Sequence, residues 1–157
     1  MEYLNIAKTL HAKTIRTIID TPREQVVYWI KQIIPNFEET DVTIAVENNE
    51  KLAARELADL VRKIGSPCFR INMDTDNSLG RLERIEEVAK ELAPYAIILH
   101  YKVFNIIRVD HRMGFKVVGC AASDGRVNAD WIFEILQEEG INSKIVLELW
   151  PPFFGDN

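Results

Sequence analysis

No apolar run in this chain approaches the roughly 20 residues of a membrane-spanning helix, so nothing in it reads as a membrane protein. No basic stretch stands out either. The 19 basic side chains are outnumbered by 24 acidic ones, for a net charge of −5, which argues against a surface built for nucleic-acid phosphates. Cysteine is scarce: Cys68 falls in a strand-like segment and Cys120 in a loop-like one, and the two match no metal or redox spacing. They read as reduced thiols of the cytoplasm. The opening residues, Met1-Glu2-Tyr3-Leu4-Asn5, lack the charged-then-apolar layout of a signal peptide, and this supports the same compartment. No Gly-x-Gly-x-x-Gly follows an apolar run, which weakens a dinucleotide-binding reading.

What is present is alternation. With 157 residues, 47% of them hydrophobic, the chain fits one domain spanning 1–157 with a core of ordinary size. Glu2–Leu10 has helical spacing, with Leu4, Ala7 and Leu10 on one side, and Lys13–Ile19 is β-branched and strand-like. Thr21-Pro22-Arg23-Glu24 is a helix start: Thr21 can cap, Pro22 fits the first position and Glu24 closes a capping box. That helix is expected to stop at Ile34, before Pro35. Val42–Val46 then reads as a strand, and Lys51–Ile64 as a helix with Leu57, Leu60, Val61 and Ile64 on one stripe and Gly65 as its terminator. Cys68–Met73 is the next strand, Leu79–Leu92 the next helix, and Ala96–Leu99 the fourth strand. Asn128 caps a helix that runs to about Glu139 and ends at Gly140, and Ile145–Leu149 is the fifth strand.

Four of these strands end in side chains able to hold a divalent metal: Glu47, Asp74, His100 and Glu148, in that order. In parallel α/β proteins the C-terminal ends of the strands share one face, and the chemistry sits there. Either Asp74 or Glu47 alone is adequately explained as a cap for the helix that follows; four such residues in sequence suggest a site. Three carboxylates and one imidazole, without thiolates, suit Mn²⁺, Mg²⁺, Co²⁺ or Zn²⁺ and argue against a structural zinc knot. Three carboxylates facing one cavity would also repel one another without a cation. Ligands at successive strand ends converge better around a barrel mouth than along a flat edge. A barrel needs eight strands and typically about 250 residues, so the fold class expected here is α/β, a partial (β/α)8 TIM barrel of about five βα units with parallel strands.

The same residues carry a family resemblance. Val42-Thr-Ile-Ala-Val-Glu47-Asn48, Met73-Asp74-Thr75-Asp76-Asn77-Ser78, Leu99-His100-Tyr101-Lys102 and Leu147-Glu148-Leu149-Trp150-Pro151-Pro152 resemble the C-terminal portion of the sugar phosphate isomerase/epimerase family, the xylose isomerase-like TIM barrels. Gly114–Gly119 followed by Asp124–Val127 resembles the long loop after that family's seventh strand. The family's first three strands and two helices have no counterpart, which the resemblance implies is a truncated, split or remnant gene product.

The implied activity is a metal-dependent isomerisation or epimerisation of a small sugar or sugar phosphate, by proton transfer through an enediolate. Glu47 and Glu148 would be both ligands and proton-transfer groups, with Asp74 and His100 completing the metal set. Asn77 and Lys102 would contact substrate, Arg16 would face an anionic substrate group or pair with an acid, and Trp150 would line the sugar pocket. The uncovered edges imply a homo-oligomer or a companion chain that supplies the missing strands. A non-catalytic remnant and a hydrolase like the endonucleases acting on abasic DNA stay as alternatives. The second expects more histidines than the three present and a basic face.

Several positions have plainer readings. His11 stands where the family usually has Gly and reads as a turn residue. His111, between Asp110 and Arg112, reads as a solvated loop residue. Trp131 and Phe133 read as core or interface, and Glu83–Glu87 as a solvated helix face. Departures from the family pattern fall at Val103, where Asp is frequent, at Asp76, where Gly is frequent, and at Asn128, where an acid is common.

Overall fold

The computed structural model describes residues 1–21, 23–111 and 113–150. Five short strands form one parallel sheet in the order β1 (Thr14–Thr17), β2 (Thr43–Glu47), β3 (Phe69–Asp74), β4 (Ala96–Tyr101) and β7 (Lys144–Leu147). Helices α1 (Glu2–Thr9), α2 (Arg23–Thr40), α3 (Ala54–Ile64), α4 (Ile85–Leu92) and α5 (Ala129–Glu138) accompany them. This is a partial TIM barrel, five parallel strands of the eight a closed barrel requires. The core lies between sheet and helices: Ile44, Val46, Phe69, Ile71, Met73 and Leu99 of the strands meet Leu57, Leu60, Val88, Leu92 and Ile132 of the helices, all buried. No helix among the described residues is long and apolar enough to cross a membrane.

Strand positions agree with the hydrophobic pattern to within a residue or two at most ends; β1 is the shortest against expectation, Thr14–Thr17 rather than Lys13–Ile19. The helices differ more. Helix α2 does not stop before Pro35 but runs through it to Thr40. Proline deletes one N–H and crowds the preceding turn, yet Ile34 and Phe37, one on each side of it, are both buried against the sheet. Side chains also knit the far half, Asn36 donating to Ile33 O (3.2 Å) and Thr40 to Asn36 O (2.8 Å). Pro22 lies outside the described residues, and the Thr21 hydroxyl donates to the Asp20 carboxylate at 3.2 Å. Helix α3 starts at Ala54 rather than Lys51, because Asn49 Oδ1 accepts from Lys51 N (2.8 Å) and turns the chain first.

The helix expected over Leu79–Leu92 is broken in two. A 3₁₀ turn spans Asn77–Arg81, Leu82 adopts a left-handed conformation (φ 62°), and α4 begins only at Ile85. Glu83, expected on a solvated helix face, instead receives the N–H of Ala54 at 3.1 Å, satisfying a donor at the start of α3. The segment expected as a long loop after β4 contains an antiparallel hairpin, β5 (Phe104–Arg108) with β6 (Phe115–Gly119). His111 lies in its connection, exposed, while Arg112 lies outside the described residues. His11 is left-handed (φ 53°), which explains a site where glycine is the easier choice.

Gly65 ends α3 at φ 68°, and a Cβ there would meet nothing nearer than Arg62 O at 3.7 Å. Gly65→Ala therefore isolates the backbone cost of the left-handed conformation. It is expected to remove about 1 kcal/mol, a fall of roughly 2–4 °C in Tm by calorimetry.

Candidate metal centre at the strand ends

The register of the sheet decides which side chains meet. In a parallel ladder, paired residues point to the same face and each strand alternates faces. Arg16 pairs with Ala45, Glu47 with Asn72, Asp74 with His100, and His100 with Val146. Arg16, Glu47, Asn72, Asp74, His100 and, one step past β7, Glu148 therefore share one face at the C-terminal ends. A bulge makes this possible. Ile71 pairs with Ala96 but Asn72 with Ile98, so β4 carries one extra residue. Without it Asp74 would face Leu99, and His100 would turn to the helix side. Sequence alone gives no sign of this bulge.

The four ligand-type residues converge: one donor atom from each of Glu47, Asp74, His100 and Glu148 lies within 4.8 Å of all the others. Glu47 is fixed on every side. Its Oε2 contacts Arg16 Nε and accepts from Asn72 Nδ2 at 2.8 Å, while Oε1 accepts from Asn77 Nδ2 at 2.9 Å. Asp74, wholly buried, receives the backbone N–H groups of Asp76 (2.8 Å) and Asn77 (2.9 Å) on Oδ1. Lys102 Nζ stands 2.9 Å from its Oδ2 and 3.5 Å from Glu148 Oε2. His100 Nδ1 lies 2.8 Å from Glu148 Oε2 and 3.4 Å from Glu47 Oε2.

Asn48 supports the site from below. Its side chain accepts from Asp74 N (2.7 Å) and donates to Asp74 O and Ser78 Oγ, both at 2.9 Å, tying the end of β2 to the end of β3. The sequence pattern assigns no role to Asn48 or Asn72. Asn72 was discoverable, being two residues before Asp74 on the same face.

The charges follow from these contacts. Burial works to raise the Glu47 pKa, but the hydrogen bond and charge of Arg16, with Lys102 behind it, outweigh burial and hold Glu47 below the ordinary carboxylate range. For Asp74 burial dominates and raises the pKa against Lys102 and the two backbone donors. Burial lowers the Lys102 pKa, but the Asp74 carboxylate, with Glu148 and Glu47, outweighs it and the pKa is raised. Burial opposes the charged form of both partners, and the 2.9 Å contact between them favours it. Burial, then the Asp74 charge, raises Asp76.

Three of the four donors have a buried atom with a charged neighbour but no well-formed hydrogen bond: Asp74 Oδ2 beside Lys102, and His100 Nδ1 and Glu148 Oε2 beside each other. Buried polar atoms are seldom left so, and here they crowd one point. Two hard carboxylate oxygens and an imidazole nitrogen, with Glu47 alongside, are a donor set for a divalent cation. Of the remaining expected site residues, Arg16 pairs with Glu47, Asn77 bridges Glu47 and Lys102 (3.2 Å to its Oδ1), and Lys102 sits among the acids. Trp150 has a side chain 68% exposed, and Pro151 and Pro152 lie outside the described residues.

Comparison with known proteins agrees with this fold. The family described as the xylose isomerase-like TIM barrel matches residues 4–154. A 3-oxo-isoapionate decarboxylase of Pectobacterium atrosepticum is 26% identical over 96% of this chain and 57% of its own length. A xylose isomerase-like TIM barrel protein from Mycobacterium smegmatis, solved in complex with magnesium, superposes with a TM-score of 0.79 at 14% identity, covering 96% of this chain and 59% of that one. A probable 3-DHS dehydratase from Bacillus anthracis does so with a TM-score of 0.71 at 19% identity, covering 98% and 63%. The chain thus spans somewhat more than half the length of these proteins. Over that span, in fold and in sequence alike, it belongs to the xylose isomerase-like TIM barrel family.

Proposed function

We propose that this chain carries the metal-holding and proton-transferring part of an isomerase or epimerase for a small sugar or sugar phosphate. The observation that carries the proposal is the placement of two glutamates about the Asp74–His100 pair. Glu47 comes from β2 and Glu148 from beyond β7, the strands that flank β3 and β4, and both carboxylates approach His100 Nδ1. Glu47, Asp74, His100 and Glu148 would hold the cation, Mn²⁺, Mg²⁺, Co²⁺ or Zn²⁺ by donor type. A bound divalent ion supplies polarisation of a substrate carbonyl and its neighbouring hydroxyl, making the adjacent C–H more acidic.

The chain's own groups divide the remaining work. Glu148, whose side chain is 29% exposed where that of Glu47 is buried, is the more accessible of the two to take a proton from carbon. Glu47, kept ionised by Arg16, Asn72 and Asn77, is the second proton-transfer group, on the other side of the pair. Lys102 and Arg16 offer positive charge where negative charge develops on substrate oxygen or where an anionic group docks, and Asn77 offers an amide beside both.

A second reading has a specific observation behind it. The decarboxylase similarity and two cations beside the site fit a 3-oxo sugar acid. Loss of CO₂ from such an acid leaves its electron pair as an enolate, and a proton then adds at the same carbon. Both reactions need an enolate stabilised and one carbon protonated, so they share a site and differ in what leaves.

The discriminating experiment incubates Mn²⁺-supplemented protein with keto sugars and with 3-oxo sugar acids in D₂O. Deuterium entering the carbon next to the carbonyl without CO₂ release supports the isomerase reading, and CO₂ release supports the decarboxylase. Glu148→Gln and Glu47→Gln are each expected to slow the exchange by about 10²–10⁴-fold, because an amide is no base. Neither deuterium uptake nor CO₂ with any substrate would remove both readings and leave a non-catalytic remnant or a subunit awaiting a partner.

A further inference from the structure

Lys102 is set in place more firmly than a surface lysine. Its backbone N–H donates to Thr75 Oγ1 at 2.8 Å, and the same hydroxyl donates back to Lys102 O at 2.6 Å. Thr75 N in turn donates to His100 O at 3.2 Å, so the chain just past β4 is clamped to the end of β3. From that anchor the side chain reaches inward and is only 11% exposed. Its ammonium hydrogen-bonds Asn77 Oδ1 at 3.2 Å. It also stands 2.9 Å from Asp74 Oδ2 and 3.5 Å from Glu148 Oε2. Both oxygens belong to residues of the candidate metal donor set.

An ammonium and a divalent cation cannot share these oxygens without strong mutual repulsion at short range. Nor can three acids at the centre of the site go without positive charge. Arg16 answers for Glu47, and Lys102 is the cation that answers for Asp74 and Glu148.

We infer that Lys102 is a built-in counter-ion that competes with the metal for Asp74 and Glu148, and that metal entry drives its ammonium out of the acid cluster. The inference rests on the metal reading of the site given above. The exchange keeps the carboxylates neutralised before the metal arrives. It also makes the ammonium available to an anionic substrate group only once the metal is in place. Lys102 is in this respect a positioning residue whose charge sets metal affinity from within the site.

Calorimetric titration with Mn²⁺ tests this directly. Lys102→Met removes the competing charge and is expected to bind Mn²⁺ at least tenfold tighter than the native chain. The reverse is expected of a lysine that merely buttresses the site: its loss would leave the affinity unchanged or weaker, and that result from a folded variant would overturn the inference.

Should the variant fail to fold with its acids bare, the native chain still decides the matter. Acetylation at Lys102, followed by peptide mass spectrometry, is expected to run several-fold faster with saturating Mn²⁺ than without it, because the side chain leaves its buried partners. Labelling that Mn²⁺ leaves unchanged or slows would likewise overturn the inference. Absence of any Mn²⁺ binding by the native chain and the variant alike is a different result, and it would remove the metal reading itself.

Discussion

Asp74→Asn is expected to abolish most of the thermal stabilisation that Mn²⁺ confers on this chain. A ligand that binds only the folded state stabilises it by about 2.7 kcal/mol at a hundredfold excess over Kd, which for a domain of this size is a rise of roughly 5–11 °C in Tm. Asparagine at position 74 keeps an oxygen for the N–H groups of Asp76 and Asn77, so the turn after β3 has no reason to collapse. It puts an amide where Oδ2, buried beside Lys102, faces the other donors. The variant will also be less stable without metal, since Lys102 loses an ionic partner. The quantity to read is therefore the shift on adding Mn²⁺, not the absolute Tm.

Glu148→Ala supplies an independent check. That side chain is 29% exposed, so its removal disturbs packing less, yet it too should lose most of the shift. Full retention of the Mn²⁺ shift in both variants would sink the four-residue site.

The residues of this cluster are legible in the sequence for a simple reason: each follows a short apolar run and so lies within one residue of the C-terminal end of a parallel strand, on the face where those ends gather. Glu47, Asp74, His100 and Glu148 needed no knowledge of side-chain contacts to be grouped. What joins them did need it. The bulge in β4 that brings His100 level with Asp74 leaves no mark in Ala96–Tyr101, a run of apolar and aromatic residues equally content in either register.

The helices depart from the sequence pattern where distant contacts override local preference. Pro35 is a stop signal on its own, and the burial of Ile34 and Phe37, with the side-chain bonds of Asn36 and Thr40, carries α2 past it. Glu83 reads in sequence as one more acid on a helix face, but its partner, Ala54 N, lies 29 positions earlier in the chain. The hairpin of β5 and β6 was hidden by the absence of a two-residue Asn-Gly or Asp-Gly turn; its connection, Val109 to Gly114, closes instead through a Val109 N–H to Gly114 O bond of 3.1 Å.

The 157-residue chain is expected to associate at micromolar concentration, with itself or with a companion chain carrying further strands. Parallel sheets are normally covered on both faces, and bare edges are rarely left exposed. Here β1 and β7 are the outermost strands of a five-stranded order that a closed barrel would extend to eight. Every residue of β7 is exposed, with Ile145 at 55%, Val146 at 43% and Leu147 at 61%. Beside β1, Ile18 and Trp29 are about half exposed. Ile15 and Leu149, by contrast, are partly buried against the core. Covering a half-exposed aliphatic side chain contributes about 1 kcal/mol. Ile145→Lys with Leu147→Lys should then cost the assembly about 2 kcal/mol and weaken it roughly thirtyfold, while charge on an edge strand leaves the fold of the chain itself intact. Analytical ultracentrifugation of both forms gives the answer. A native chain that sediments as a well-folded monomer and turns over a keto sugar or a 3-oxo sugar acid unaided would show that five strands suffice.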